Sequence, residues 1–356
     1  MLSAMKLPSW LRPQPKFAPK FGQQLFVHIG CHRTGTTSIQ NYLRTNAALL
    51  AKRGYYLPFG RGRQSAFVSR LFDGELSVEE FAEQLHARAL EHVGAAAKIV
   101  LSDEDISQKT NLELLQGLRH FFDVKIIFSM RRQDIWLESW YFQNVKWQWN
   151  PALSHLTWDA FLGVREQFHW IDYAAHLGRL EALFGRENLL LSVFEKRQMP
   201  EGPVVGFCHQ LGLTDLDGFS TPPHVNSSLS AEMTEFLRHL PLDAVETSAR
   251  AVFRNALDRV DRSVLGHTAK QSERLMSPEA RSHVLEQYAA GNRRVAKRYF
   301  GRQDLFLDPL PKPETPLATL DIPSESEAVV ARYVGPMLMQ LVQDDKLVLP
   351  ETSTKR

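Results

Sequence analysis

Cysteine is scarce in this sequence, with Cys31 and Cys208 as the two occurrences among 356 residues. Two distant cysteines do not make the framework of a disulfide-stapled domain, although they could still pair in space, and such usage is typical of a reducing compartment. Long apolar runs are lacking too, and the proline-containing residues 1–23 hold no stretch suited to a signal peptide or a membrane span. We therefore expect a cytoplasmic protein without an integral membrane segment.

An excess of charge of one sign is also missing, because 42 Lys and Arg residues face 40 Asp and Glu residues, for a formal net charge of +2. This charge is too small for general nucleic-acid binding, so we expect no nucleic-acid partner. Any basic character that matters must then be gathered locally, at a site. With 44% of its positions hydrophobic, the chain can build a substantial core, as one large domain or two smaller ones.

Short apolar strands alternate with helical patterns along the first two hundred residues or so. The strand candidates are "QLFVHIG", "GYYLP", "AKIVLSDEDIS", "DVKIIFSMRR" and "RENLLLSVFE". This alternation predicts an α/β fold with a doubly wound, mostly parallel sheet and helices on both faces. From residue 230 to residue 300 the pattern is helical in at least three segments, which predicts a helical C-terminal part.

We expect four consecutive parts in the chain. Residues 1–23 are predicted to be an irregular basic arm, and residues 24–307 to form the principal domain. The proline-rich residues 308–324 are predicted to be a linker, because repeated proline prevents regular helix and central strand. Residues 325–356 are predicted to be a C-terminal helix and tail, with a kink or break at Gly335 and Pro336.

The stretch "GCHRTGTT" resembles a P-loop-type phosphate-binding loop without its lysine. Gly30 and Gly35 have the spacing of G-x-x-x-x-G-K-[ST], but Thr36 stands in the lysine position. Backbone N–H groups and the helix dipole still make an anion site there, and Arg33 can supply the missing cation from within the loop. The predicted nucleotide-binding residues of this segment are Arg33, Thr34, Gly35, Thr36, Thr37 and Ser38.

Such a loop suits a single phosphate or a phosphosulfate better than a triphosphate with Mg²⁺, because the usual lysine bridges the terminal phosphates. The alternative interpretation is a glycine turn that joins a strand to a helix, with incidental threonines.

A second segment, "KIIFSMRRQDIWLES", repeats the arrangement of a strand followed by arginine. Arg131 stands at the strand end, and Ser139 follows eight residues later on a predicted helix. The arginine as a bidentate donor and the serine as a neutral donor could bracket one further phosphate. Two anion sites at neighbouring strand ends indicate a ligand with two phosphate groups. Taken alone, an arginine pair is usually a solvated strand end.

Together, "HIGCHRTGTTSIQ" and "MRRQDIWLESWY" resemble the family of sulfotransferases that depend on 3′-phosphoadenosine 5′-phosphosulfate (PAPS), in its bacterial carbohydrate-sulfotransferase-like branch. The resemblance covers residues 24–305 and implies PAPS as donor, without a metal. It implies that the first motif holds the 5′-phosphosulfate, with Arg33 where the family usually has lysine. It further implies that Arg131 and Ser139 hold the 3′-phosphate.

The general base is predicted from its position at a strand end. Related enzymes place a histidine or glutamate after an equivalent strand, and here Glu104 follows "IVLSD", with Asp103 and Asp105 as alternatives. These acidic residues could equally cap the next helix. His28 is expected within the strand, and His32 is expected to be exposed on the loop.

The acceptor is expected to be a small molecule or a glycan. Trp147 and Trp149 are candidates for a substrate wall, because aromatic faces stack on sugar rings, although most aromatic residues nearby are expected in the core. Arg61, Arg63 and Gln64 could hold an anionic glycan, or they could form an ordinary solvated basic loop.

Three functions therefore remain open. The first is sulfuryl transfer from PAPS to a hydroxyl, on a carbohydrate or glycolipid, by in-line transfer with Arg33 and Glu104 as catalytic residues. The second is a P-loop kinase or NTPase that uses Mg²⁺, for which "IVLSD" resembles a strand ending in a magnesium-binding aspartate. The third is a relative that binds nucleotide or glycan without catalysis.

Overall fold

The computed structural model describes residues 18–222, 229–267 and 274–347. Most of the predicted basic arm and the end of the predicted tail, residues 1–17 and 348–356, lie outside the described residues.

A five-stranded parallel sheet forms the framework, in the order β2-β3-β1-β4-β5, with β1 at its centre. The strands are β1 Gln24–Gly30, β2 Tyr55–Tyr56, β3 Lys98–Ser102, β4 Asp123–Met130 and β5 Leu189–Val193. Each corresponds to one of the apolar segments predicted as strands, and the α/β prediction is confirmed.

Fifteen α-helices accompany these strands in the described part of the chain. They are α1 Thr36–Thr45, α2 Ala47–Lys52, α3 Ser65–Phe72, α4 Val78–His92, α5 Glu113–Gly117, α6 Gln133–Trp147, α7 Pro151–Ser154, α8 Trp158–Gly163, α9 Tyr173–Phe184, α10 Pro203–Gln210, α11 Ala231–Arg238, α12 Thr247–Ser263, α13 Pro278–Phe300, α14 Ser326–Val329 and α15 Gly335–Gln343.

Helices cover both faces of the sheet, because side chains alternate along each strand. On one face, Phe26, Val100 and Ile127 share a buried cluster with residues of α1, α2 and α10. On the other face, the ring of Phe128 lies 4.9 Å from that of His176 on α9. The sheet is therefore doubly wound.

The chain divides into two compact units, each made of separate stretches. The first contains the sheet and comprises residues 1–133, 167–224 and 284–310. The second comprises residues 134–166, 225–283 and 311–356 and holds α11 and α12. The four-part division by sequence order stays a prediction.

The pattern of "TTSIQNYLRTNAALLAKR" predicts one helix after β1, and in the structure this helix is interrupted at Asn46, between α1 and α2. The Asn46 Nδ2 donates to the carbonyl oxygens of Tyr42 and Ser220, and its Oδ1 accepts from the Ser220 N–H at 2.8 Å. The Asn46 side chain thus forms hydrogen bonds with the backbone of a segment that is distant in sequence. Asparagine side chains often bond to the backbone in this way, and such bonds compete with a continuous helix.

The C-terminal helix is broken where the sequence predicts it. A π-helical turn, Val330–Val334, separates α14 from α15, which begins at Gly335 with Pro336 in its first turn. Proline lacks the N–H that a continuous helix would need there.

In the part of the chain that the structure describes, every helix falls short of the length and apolarity that a bilayer crossing demands.

Candidate functional site

The loop between β1 and α1, residues 31–35 (the β1–α1 loop), lies at the carboxyl end of the central strand. It is bounded by Gly30 at φ +76° and Gly35 at φ +83°, both left-handed. At Gly35, a Cβ atom would lie 2.7 Å from the Pro203 side chain, so both conformation and space require glycine. The first turn of α1 follows at Thr36. This is the strand, glycine turn and helix that the sequence predicts, with helix N–H groups at the strand end.

Thr34 contributes to the internal structure of this loop. It is buried, and its Oγ1 donates to the Cys31 carbonyl oxygen at 2.6 Å. Its hydroxyl hydrogen is thus already used, which leaves its backbone N–H for the contact predicted at this position. Of the hydroxyl residues that follow, Thr36 is buried, Ser38 half-buried and Thr37 exposed.

Arg33 adopts a left-handed backbone conformation, at φ +67°, which is unusual for a residue with a side chain. Its carbonyl oxygen accepts a hydrogen bond of 2.7 Å from the Nη1 of Arg131. Burial lowers the pKa of the Arg33 guanidinium from its ordinary value, but a guanidinium remains charged in proteins. The loop therefore holds a half-buried cation.

Arg131 follows β4, the strand that pairs with β1. The Tyr173 hydroxyl donates to the Arg131 carbonyl oxygen at 2.5 Å and accepts from the Arg131 N–H at 2.9 Å. The guanidinium lies 5.4 Å from the centre of the Phe194 ring. The structure thus brings the arginine of the second motif against the loop of the first.

Ser139 lies half-buried on α6, within the second compact unit. Its predicted role beside Arg131 therefore stays a prediction.

Three consecutive acidic residues, Asp103, Glu104 and Asp105, follow β3 and are called the acidic turn below. The Asp103 Oδ1 accepts from the Asp105 N–H at 3.4 Å and caps a 3₁₀-helix, Glu104–Gln108, as the capping interpretation predicts. All three carboxylates pair with the Arg63 guanidinium, at 2.9 Å for Asp103, 3.3 Å for Glu104 and 2.6 Å for Asp105.

Glu104 is the acidic residue nearest the start of the β1–α1 loop. A Cβ atom on Gly30 would lie 2.6 Å from the Glu104 Cβ, so the two backbones pack directly together. The Glu104 Oε2 accepts a hydrogen bond of 2.5 Å from the Gln40 Nε2, on the second turn of α1. The predicted base is thus buried beside the loop and held by α1.

The expectation that His32 is exposed is wrong. Only 2% of its surface is exposed, and its Nε2 lies 2.9 Å from the Asp105 Oδ1. The loop folds onto the acidic turn, and this hydrogen-bond partner compensates for the burial of the imidazole.

Arg63 and Gln64 do not form a solvated basic loop. Arg63 binds the acidic turn, and the buried Gln64 Oε1 accepts from the Ser102 N–H at 2.7 Å. Arg61 is the member of this predicted group that is exposed.

Burial changes the pKa values of the acidic turn unequally. It raises the pKa of Asp103 to about 6, although Arg63 acts in the opposite direction. For Asp105, burial also raises the pKa, but the hydrogen bond with His32 and the charge of Arg63 outweigh it and leave the pKa below its ordinary value.

His28 lies within β1, as predicted, and its Nδ1 is 2.8 Å from the Ser102 Oγ. Burial lowers its pKa to about 4, although the Glu104 carboxylate opposes this change. The imidazole is therefore neutral near pH 7.

The second unit carries the aromatic residues considered for a substrate wall. The Trp147 and Trp149 rings stack at 4.8 Å, and the Arg254 guanidinium lies 3.7 Å from the centre of the Trp147 ring. Trp149 is 52% exposed, whereas Trp136 and Tyr141 are fully buried, as expected for core residues.

Cys31 and Cys208 are both buried, and neither belongs to a disulfide. Within residues 18–222, 229–267 and 274–347, no group of three or more His, Cys, Asp or Glu residues has an arrangement that could hold a metal ion.

No protein-family model matches the sequence. Among curated proteins, an uncharacterized protein of Archaeoglobus fulgidus is 25% identical over 205 residues, which is 55% of this chain and 52% of that protein. The chain thus spans about half the length of the curated relative that it matches.

The solved structures that are similar to this chain include two sulfotransferases. A sulfotransferase from Alicyclobacillus acidocaldarius is 15% identical, with a TM-score of 0.44, over 77% of this chain and 95% of its own. The sulfotransferase domain of the Synechococcus PCC 7002 olefin synthase is 16% identical, with a TM-score of 0.36, over 79% of this chain and 98% of its own. Both are remote likenesses.

The contact between Gly30 and Glu104 predicts a specific loss of stability. Gly30→Ala adds a Cβ at positive φ that meets the Glu104 Cβ, so we expect a loss of about 3 kcal/mol in the free energy of unfolding. Gly54→Ala is the matched control, because Gly54 has φ +85° with open space around it, and should cost about 1 kcal/mol. Urea denaturation measures both, and equal losses would contradict the close packing.

The buried neutral His28 predicts a pH dependence of stability. In the unfolded chain His28 is protonated below about pH 6.5, whereas in the folded protein it stays neutral down to about pH 4. The free energy of unfolding therefore falls as the pH drops from 6.5 to about 4. Across this range, His28 accounts for a loss of about 3 kcal/mol in the free energy of unfolding. His28→Asn should flatten this slope, and His283→Gln, at an exposed position, should not. Identical slopes for His28→Asn and the wild type, from denaturation at several pH values, would refute the assignment.

Proposed function

We propose that this protein is a sulfotransferase that moves a sulfuryl group from PAPS to a hydroxyl of a carbohydrate or glycolipid. The observation that supports this most directly is the hydrogen bond from the Arg131 Nη1 to the Arg33 carbonyl oxygen. It joins two anion-binding elements at the carboxyl ends of adjacent strands, where open α/β sheets bind ligands. A nucleotide with phosphate groups at both the 5′ and 3′ positions matches two such elements. The proposal includes the cytoplasmic location expected from the sequence.

The 5′ side of the donor is assigned to the β1–α1 loop and the first turn of α1. There the backbone N–H groups, the helix N-terminus and the half-buried Arg33 favour an anion. Thr36, Thr37 and Ser38 add hydroxyl groups. When bound, PAPS supplies the sulfuryl group, and Arg33 stabilises the negative charge that develops on the bridging oxygen.

The 3′-phosphate is assigned to Arg131, and for Ser139 the role stays the one that the sequence predicts. Arg131 follows β4 directly, and its guanidinium is a planar fork of N–H donors that suits a bidentate contact with a phosphate. Tyr173 fixes the Arg131 backbone on both sides of the residue, which supports a preorganised donor.

Glu104 is assigned as the base that accepts the proton of the acceptor hydroxyl. Its two carboxylate oxygens offer about four lone-pair sites, of which Gln40 and Arg63 each use one. Its backbone lies against Gly30, at the start of the loop assigned to the sulfuryl group. A base in this location supports in-line proton removal.

A sugar as acceptor is supported by the stacked pair of Trp147 and Trp149. One face of the Trp149 ring is stacked against Trp147, and the residue is 52% exposed. Exposed aromatic rings of this kind stack on the faces of pyranose sugars.

The magnesium-dependent kinase receives less support from the structure. Its proposed metal ligand, Asp103, is buried and forms an ion pair with Arg63 at 2.9 Å. A carboxylate that is already compensated in this way is a poorer ligand for a divalent cation.

Nucleotide binding tests the proposed function. We expect 3′-phosphoadenosine 5′-phosphate to raise the melting temperature without metal, and ATP with Mg²⁺ to leave it unchanged. Arg131→Ala should weaken binding of 3′-phosphoadenosine 5′-phosphate roughly 10- to 100-fold by loss of charge-assisted bonds. The affinity for adenosine 5′-phosphate should fall less, because this nucleotide has no 3′-phosphate for Arg131 to contact. Arg131 then affects its binding only by holding the β1–α1 loop.

The matched control is Arg119→Ala, which removes a similar arginine-to-carbonyl bond, to Leu183 at 2.7 Å. This variant should keep the preference for the 3′-phosphorylated nucleotide. Calorimetry measures both affinities, and an equal loss for both nucleotides in Arg131→Ala would rule out a direct contact with the 3′-phosphate.

The catalytic role of Glu104 makes a separate prediction. Glu104→Gln should lower turnover about 10²- to 10⁴-fold and leave nucleotide affinity within about twofold, because only proton removal is lost. Transfer of labelled sulfate from PAPS to panels of sugars, lipids and phenols measures turnover. Glu113→Gln, at an exposed acidic residue of α5, should be fully active. Retained turnover in Glu104→Gln would exclude it as the base, and binding without transfer to any acceptor would favour a non-catalytic relative.

A further inference from the structure

We propose that Arg63 is a positioning residue that keeps the Glu104 carboxylate ionised and fixed beside Gly30. This inference rests on the proposed function, because it concerns the base of that reaction. It assigns a role in catalysis to a residue whose sequence context indicates a surface loop.

One guanidinium serves three consecutive carboxylates. Arg63 lies within 3.3 Å of an oxygen of each member of the acidic turn. The Asp103 and Glu104 side chains are almost fully buried, and 26% of the Arg63 side chain is exposed. Without this cation, adjacent carboxylates in a poorly hydrated place would repel each other, and protonation would relieve the repulsion.

The segment that carries Arg63 is fixed by its neighbours. A Cβ atom on Gly62 would lie 1.8 Å from the Gln40 carbonyl oxygen, so the chain passes directly against α1. The Gln64 N–H donates to the Ser102 carbonyl oxygen at 3.0 Å, and the Ser102 N–H donates to the Gln64 side chain. The backbone is therefore held in place on both sides of Arg63.

Gln40 completes the arrangement from the other side. Its Nε2 donates to the Glu104 Oε2 at 2.5 Å and lies 3.4 Å from the Ser102 Oγ. Arg63 binds the opposite oxygen, Oε1. The carboxylate plane is thus defined by two donors from two elements, one of them the helix that begins at the β1–α1 loop.

The charge on Glu104 depends on every titratable group around it. The acidic turn itself supplies Asp103 and Asp105, and Arg63 faces all three carboxylates from the segment before α3. From β1 and the β1–α1 loop come His28 and His32, and Lys109 acts on Asp105. Within this set the Arg63 guanidinium is the cation in contact with Glu104, so its removal should make Glu104 harder to ionise.

The experiment is the pH profile of kcat/KM for sulfuryl transfer. In Arg63→Gln, the pH below which kcat/KM falls (the acidic limb) should be higher than in the wild type by about 1 to 3 pH units. Activity should recover at high pH. Arg63→Lys keeps a cation and should return the limb towards its wild-type position. Arg70→Gln, at an exposed arginine of α3, is the control and should leave the profile unchanged. A purely structural role would lower activity at all pH values without moving the limb, and that result would overturn the inference.

A second measurement does not depend on activity. In urea denaturation at pH 7.5, Arg63→Gln and Glu104→Gln should each lower the midpoint, and the double variant should lower it by less than the sum. If the changes in the midpoint are additive, Arg63 and Glu104 do not interact, and the inference is overturned. If the wild type transfers sulfate and the acidic limb of Arg63→Gln lies at the wild-type pH, this inference alone is refuted. A wild type that binds no 3′-phosphorylated nucleotide would refute the proposed function, and this inference with it.

Discussion

The hydrogen bond from Arg131 to the Arg33 carbonyl oxygen is the contact on which the candidate site depends. Because β1 and β4 are adjacent and parallel, their carboxyl ends deliver the two arginines to the same edge of the sheet. Arg33 directs its carbonyl towards Arg131 only because its backbone is left-handed, at a cost of about 1 to 2 kcal/mol. A charge-assisted hydrogen bond is of the right size to offset that cost. The shape of the loop and the position of the second arginine therefore stabilise each other.

The proposed anion site lies beside three carboxylates, which would oppose an anionic ligand. The acidic turn would repel a nucleotide at the β1–α1 loop if its charges were uncompensated. Arg63 neutralises part of this charge, and His32 shares a hydrogen bond with Asp105. Glu104 is the member of the acidic turn whose backbone lies against Gly30. In the proposed reaction, the same cluster would thus provide a carboxylate for proton removal, while Arg63 would limit the repulsion between that cluster and the donor.

The sequence predicts elements well where the determining pattern is local. Apolar runs bounded by glycine or charge give all five strands, and Gly335 with Pro336 gives the break in the last helix. Predictions fail where the determinant is far away in sequence. The break at Asn46 depends on Ser220, and the burial of His32 depends on Asp105. Nothing near Arg63 in sequence reveals that its partners are residues 103–105, so its contacts required the structure.

The threonine in the lysine position has a physical explanation. Thr36 is buried, and a Cβ atom on Gly30 would lie 3.5 Å from its methyl group, in the narrow space that the Glu104 backbone also bounds. A long charged side chain does not fit such a place without losing its hydration. The cation is found three residues earlier, at Arg33, whose backbone is left-handed and whose side chain is half-buried. A loop of this kind offers its charge from within the turn rather than from the helix. This suits one phosphate or sulfate group at the strand end, and it suits the extended row of charges in a triphosphate less well.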